Sequence, residues 1–189
     1  MTGCIERLKK EYEIETRWVA YPLRPDTPEE GLSLEQVFAG SGKDIHEMNI
    51  RLKKAAKAAG LPFGHRTMTF NSRFAHEVGK WAESRDYGDD FHKAVFTAYF
   101  AEGKNIGRVP VLMDIVGAVG LPRQEARQVI DSRAFAPAVD EDWLRAQQVD
   151  PEYIPSLMIN GRLAVNPQQY DLFRQFMRDN HIQKRPVTG

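Results

Sequence analysis

Apolar residues recur at helical spacing along most of the chain, and in two places the period shortens to that of a strand. In CIERLKKEYE (4–13), Ile5, Leu8 and Tyr12 repeat with charges between them, which predicts a helix. ETRWVAYPL (15–23) is rich in β-branched and aromatic residues and stops at Pro22 and Pro25, which predicts a strand. The turn-rich loop RPDTPEEG follows. From about 33 to 148 the pattern is almost wholly helical. SLEQVFAG gives a short helix with Ser33 as cap and Gly40 as stop. In KDIHEMNIRLKKAAKAAG, a stripe of Ile45, Met48, Leu52, Ala55 and Ala59 is expected to face inward, with Gly60 ending the helix. PFGHRTMTF reads as irregular. NSRFAHEVGKWAES opens on Asn71 or Ser72 as cap, with Phe74, Val78 and Trp81 on one side. DDFHKAVFTAYFAEG carries Phe91, Val95, Ala98 and Tyr99 on a face widened by Phe96 and Phe100, the mark of a central helix. VPVLMDIVGAVG, PRQEARQVIDS (with Pro122 in a first-turn position) and DEDWLRAQQV complete the block.

The last section changes period. SLMI and RLAV are short apolar runs separated by Asn160-Gly161, the strongest local signal for a hairpin, because both turn residues must take positive φ. Pro155 stands just before the first run, where a residue without an N–H is tolerated. NPQQYDLFRQFMRDN reads as a closing helix, with Asn166 as cap, Pro167 in the first position, and Tyr170, Phe173 and Met177 inward. HIQKRPVTG is expected to be a loose tail.

Lys plus Arg equals Asp plus Glu at 26 each, so nothing in the charge argues for nucleic acid or an anionic membrane as partner. The basic runs RLKK and RLKKAAK fall on predicted helices and read as solvated faces. No apolar run approaches the roughly 18 residues needed to span a bilayer. MTGCIERLKK is charged within its first residues, unlike a signal peptide, so a cytoplasmic protein is expected. The single cysteine, Cys4, allows no internal disulfide. The five histidines (His46, His65, His76, His92, His181) form no HxxxH or HxH pair and have no cysteine beside them, so no metal site is expected. AGSGKD (39–44) lacks the full phosphate-loop pattern, and no G-x-S-x-G elbow occurs.

The order of helix, strand, helical block, Ile154-Pro155-Ser156, hairpin and helix resembles the DsbA-like thioredoxin fold. It is closest to the FrnE-type branch, which shades into the 2-hydroxychromene-2-carboxylate isomerases. RWVAYPLRPDTPEEG is similar to the family's second strand and its loop. FNSRFAHEVGKWA is similar to its Asn-(x)4-Ala-His segment, here Asn71, Ala75 and His76. VFTAYFAEGKNIGRVPVLMDIVGAVGL is similar to a long AYF-EG stretch, and YIPSLMINGRLAV to a VPTFVING segment. The resemblance implies an α/β fold, a thioredoxin-like (DsbA type) sheet with a large all-helical insertion. The core would comprise 1–32 and 149–180, and the insertion 33–148. It also implies that Pro155 is a cis-proline facing the active site, and that Ile154 offers backbone groups to an extended substrate. Asn71 and His76 would lie near the substrate cleft; a helix cap and a hydrogen-bonded histidine are the plainer roles for them.

The family's first strand and the Cys-x-x-Cys after it have no counterpart here. Family chemistry places that thiol at a helix N-terminus, where the dipole and open N–H groups stabilise the thiolate. Only 12 residues lie between Cys4 and Arg17, too few for Cys4 to match that position, so Cys4 is expected to be an inert thiol two or three turns down the first helix. Each unpaired buried backbone group left by a missing strand costs about 1–3 kcal/mol, against about 5–15 kcal/mol for a whole domain. Two outcomes are expected: an upstream start bearing the strand and a Cys or Ser, or a gap closed by rearrangement, a partner strand or a homodimer. Three functions follow. The first is a thiol–disulfide oxidoreductase homologue, redox-inactive in this form and without a cofactor, acting on thiol or disulfide proteins or small molecules. The second is a glutathione-dependent isomerase on the same fold. The third is a non-catalytic peptide-binding or chaperone-like module.

Overall fold

The structure is a computed structural model, and it describes residues 2–148, 156–164 and 170–186. Contacts divide the chain into two compact units, Met1–Val19 with Arg145–Gly189, and Ala20–Leu144. The loop at 20–32 goes with the helical unit in this division.

In the first unit, α1 (Thr2–Glu11), a hairpin and α9 (Tyr170–Asp179) surround an apolar cluster. Leu8, Tyr12, Phe173 and Met177 are buried there, with Cys4, Ile14, Leu157, Ile159, Tyr170 and Ile182 packed around them. The hairpin pairs β3 (Leu157–Ile159) with β4 (Arg162–Ala164) in antiparallel register, Leu157 opposite Ala164 and Ile159 opposite Arg162. Asn160 and Gly161 take φ of 50° and 76°, the two left-handed conformations that a two-residue hairpin turn demands. Ile154, Pro155, Asn166 and Pro167 lie outside the described residues, and so does the geometry of the Ile154–Pro155 bond.

Two expectations for this unit need correction. Residues 15–23 do not form a strand. From Glu13 to Val19 exposed and half-buried residues alternate with period two, so the side-chain pattern of a strand is present. No ladder joins the segment to another strand among the described residues, and a strand exists only by pairing. The tail is also tied down in part. Tyr12 and Lys184 form an isolated antiparallel bridge, Glu13 N donates to Gln183 O, and Arg185 N donates to Glu11 O. Arg185 Nε adds bonds to the carbonyls of Lys9 and Tyr12 at the end of α1.

The helical unit is built on α4 (Arg73–Glu83), α5 (Gly88–Phe96), α6 (Val109–Ala118) and α7 (Arg123–Ser132), with α8 (Ala136–Ala146) crossing the unit boundary. Its core gathers Val78, Trp81, Phe91, Leu112, Val116 and Ala126, nearly all without solvent contact. Each large side chain so buried contributes roughly 1.5–3 kcal/mol. Ser33 caps α2 (Leu34–Val37) through a complete capping box with Gln36. A two-residue ladder joins β1 (Leu32–Ser33) to β2 (Met68–Thr69), in a stretch expected to be irregular.

The stripe predicted for α3 (Ile45–Ala58) is not buried: no residue of the helix is, and Leu52 is 38% exposed. Ile45, Met48, Asn49 and Ala56 are half-buried while Ala55 and Ala59 are exposed, so the covered face carries too little apolar surface to bury deeply. Pro122 is the N-cap of α7 rather than its first residue. Beyond Phe96 the helix widens into a π-helical turn, Thr97–Ala101, in which Glu102 N donates to Thr97 O five residues back. Gly64 N donates to Phe100 O there, and a Cβ on Gly64 would collide with Ala101 O.

Candidate substrate-binding site

Asn71 holds the start of α4 to the preceding loop. Its Oδ1 accepts from Arg73 N at 2.9 Å and so caps the helix, while the formal N-cap residue, Ser72, makes no side-chain capping bond. Its Nδ2 donates to Thr27 O at 2.7 Å and to Pro25 O at 3.4 Å. Asn105 repeats the device: Nδ2 donates to Glu29 O, and Oδ1 accepts from Gly107 N. Two asparagines thus fix the loop that carries Glu29 beside α4. Between them lies a concavity of about 240 Å³ lined by Glu29, Asn71, Arg73, Phe74, Gly107 and Arg133. A side chain at position 107 would press on Asn71 O and Asn105 Oδ1, so glycine keeps the space open.

Two of the lining residues, Arg73 and Arg133, are held by carboxylates behind them. Glu77 is fully buried and takes three guanidinium bonds: from Arg73 Nε at 2.6 Å, and from Arg133 Nε and Nη2 at 2.9 and 2.7 Å. Arg73 is fully engaged, since Nη1 donates to Asp140 and Nη2 to Ala136 O. Burial works against its charge, but Asp140 and Glu77 outweigh burial and raise its pKa. Arg133 ends α7 in the left-handed region at φ 55°, a conformation that costs a non-glycine residue of order 1–3 kcal/mol. The bidentate grip on Glu77 holds it there, with the guanidinium 5.2 Å from the Phe74 ring.

One turn along α4, His76 stands edge-to-face against Trp143, at 6.4 Å between ring centres. Its Nδ1 is sealed from solvent and has no hydrogen-bond partner among the described residues, so it is not the hydrogen-bonded histidine of the plainer expectation. Burial, then the neighbouring His92 and Arg73, push the imidazole down to about 4, with Asp142 pulling the other way and Lys80 adding to the shift. His76 is therefore neutral at physiological pH. Beyond it, Lys80 binds Asp142 at 2.7 Å and Glu83 at 3.1 Å, and His92 Nε2 lies 3.4 Å from Glu83.

The structure thus puts Asn71 just ahead of α4 and His76 in its first turn, and no hydrogen bond joins the two among the described residues. Asn71 spends its polar atoms on the fold and positions the loop. Cys4 is the third described residue of α1, and its side chain packs against the apolar cluster of the first unit. Sequence reasoning missed Glu29, Arg73, Arg133 and Gly107. Arg73 stood inside the quoted Asn-Ser-Arg segment, but Arg133 meets Glu77 across two helices, and no local pattern announces that pair. Among the described residues no group of His, Cys, Asp and Glu could hold a metal ion.

The chain belongs to the DSBA-like thioredoxin domain family, which it matches over residues 3–178. It is similar to the uncharacterized protein YwbO of Bacillus subtilis (strain 168), at 21% identity over 183 residues, covering 96% of this chain and 90% of that protein. Among solved structures it is similar to SCO1869 of Streptomyces coelicolor, a probable DsbA oxidoreductase, with a TM-score of 0.75, 19% identity, and coverage of 88% of this chain and 75% of that one. A 2-hydroxychromene-2-carboxylate isomerase aligns with a TM-score of 0.68 and 16% identity over 95% of this chain and 85% of its own. The cytosolic disulfide reductase DsbM of Pseudomonas aeruginosa, solved with GSH, aligns with a TM-score of 0.55 and 22% identity over 80% and 81%. These establish the DsbA-like thioredoxin fold with its helical insertion.

Proposed function

We propose that the protein holds thiol or disulfide substrates on a DsbA-type scaffold and that these 189 residues carry out no dithiol turnover of their own. The observation that carries this reading is the place of the single cysteine. A dithiol oxidoreductase passes a disulfide between two of its own sulfurs and its substrate; here there is one such sulfur, and Cys4 is packed against apolar side chains in α1. The substrate class is supported by the disulfide reductase and oxidoreductase among the fold's relatives, and the cytosolic DsbM supports a cytoplasmic location. Ile154 and Pro155 are the residues proposed to pair with an extended substrate, and the segment from Asn71 to His76 is proposed separately as a substrate-binding segment of the helical unit.

The test is reduction of insulin and oxidation of a dithiol peptide by the 189-residue chain and by Cys4→Ser. Both proteins are expected to be inactive in both assays while still binding the peptide. Turnover by the parent that vanishes in Cys4→Ser overturns the proposal. A second reading, a glutathione-dependent isomerase, is favoured by the alignment of the isomerase over 95% of this chain. It requires glutathione-stimulated isomerisation of a chromene carboxylate.

A further inference from the structure

The concavity at the start of α4 has a polarity that the proposed function leaves unspecified. One wall is cationic. Arg73 has every nitrogen engaged by Glu77, Asp140 and Ala136 O, but Arg133 uses Nε and Nη2 on Glu77, and its Nη1 makes no hydrogen bond among the described residues. Its side chain is 48% exposed and is held rigid by the buried carboxylate and its left-handed backbone. The other wall is anionic. Glu29 is exposed and has no ion pair among the described residues, while its backbone is pinned by Asn105. Arg73 and Arg133 lie against Glu77 and Asp140, two charges against two, so Glu29 is the net charge left in the group and Nη1 of Arg133 a donor still to be used. A simple anion would meet repulsion from Glu29, and a simple cation would leave Nη1 of Arg133 without an acceptor. A ligand that carries both charges close together satisfies both walls. Phe74 supplies an apolar face beside them, and Gly107 removes the side chain that would fill the space. At about 240 Å³ the space falls below the roughly 300–1,000 Å³ of drug-sized pockets, so its occupant is small.

We propose that this concavity binds an α-amino acid head group, with the ammonium at Glu29 and the carboxylate at Nη1 of Arg133, the remainder of the molecule lying over Phe74. The inference rests on the reading that this part of the molecule holds substrate, and it specifies small thiol or disulfide compounds that keep a free amino-acid end.

The test uses thiol-free probes, so that it does not depend on redox chemistry. Binding of S-methylcysteine, N-acetyl-S-methylcysteine and S-methylcysteine amide is measured by calorimetry on the intact chain. The zwitterion is expected to bind, and each masked form to bind about tenfold more weakly or worse, since each loses a charge-assisted hydrogen bond. Glu29→Gln, on an exposed loop, is expected to erase the discrimination against the acetylated form and keep that against the amide. Equal binding of the three probes, or no binding at all, overturns the proposal, and so does unchanged discrimination in Glu29→Gln. Probe binding together with Cys4-dependent insulin turnover would defeat the redox-silent reading alone. Absent probe binding with no turnover would defeat only this one.

Discussion

Lys80 and Asp142 meet at 2.7 Å with side chains 8% and 1% exposed, an ion pair almost without water that joins α4 to α8. Asp142 Oδ2 also accepts from Ala20 N at 3.0 Å, and Lys80 reaches Glu83. Desolvating two charges costs several kcal/mol each, which their attraction and their further partners offset. Removing one partner strands the other. Lys80→Met is expected to lower unfolding free energy by about 3–5 kcal/mol. The double variant Lys80→Met/Asp142→Leu should lose distinctly less than the sum of the single losses. Urea midpoints of the three variants check this, and additive losses would show that the pair is not coupled.

Asn71 is expected to matter for the loop as well as for the helix. Asn71→Ala removes the bond to Arg73 N and the tie to Thr27 O together. Loss of a helix cap costs about 0.5–2 kcal/mol, and the buried Thr27 loses its carbonyl's partner in addition. The stability loss should therefore reach the top of that range. Limited proteolysis should cut between Arg24 and Glu30 faster than in the parent, whereas Ser72→Ala should leave both readouts unchanged, because Ser72 makes no side-chain cap.

The helices and the hairpin were legible because their causes are local. Asn160-Gly161 can be read from two letters, since few other residues accept two successive positive φ angles, and Ser33 with Gln36 spells a capping box. The segment at 15–23 shows the opposite case: its period-two pattern survives in the burial of residues 13–19, yet strand identity lies in a partner that the segment cannot encode. The α3 stripe failed because amphipathic spacing says which residues share a face, not that anything covers it. The candidate site was half visible. Asn71 and His76 came with a family-like segment, but the charges that give the concavity its character come from loops and helix ends far apart in sequence. Glu77 and Lys80 look like solvated helix positions until Arg133 and Asp142 arrive from α7's end and α8.

Gly64 offers a check on the π-helical turn. Its N–H takes Phe100 O, and its missing Cβ leaves room for Ala101 O. Gly64→Ala drives a methyl group into backbone, which cannot yield as a flexible side chain can. Overpacking of this kind costs typically 1–3 kcal/mol, and at a backbone contact the upper end is expected. Phe63 stacks on Phe100 at 6.3 Å next to it, so the aromatic near-ultraviolet circular dichroism should change along with the melting temperature. Gly42→Ala, where nothing lies within 4 Å of the added carbon, is the control: it incurs only the positive-φ cost of about 1–2 kcal/mol and should leave the aromatic signal alone.

His76 gives the fold a dependence on acid whose sign is fixed. Its folded pKa is lowered from 6.5 to about 4, so below 6.5 the unfolded chain binds a proton that the folded chain refuses. Stability attached to the neutral imidazole is complete above pH 6.5, declines as the pH falls, and is gone once the folded form also protonates near pH 4. A shift of that size corresponds to on the order of 3 kcal/mol. Carboxylates titrate in the lower part of the same window, so the measurement is a difference. Urea unfolding of the parent and of His76→Gln is followed from pH 7 to pH 4. The parent should lose more stability across that range, by an amount of the same order, and most of the excess should appear between pH 6 and 4.5, above the range of ordinary carboxylates at its upper end. Parallel curves for the two proteins would mean that the imidazole already carries its proton in the folded state, with Asp142 rather than burial setting its charge.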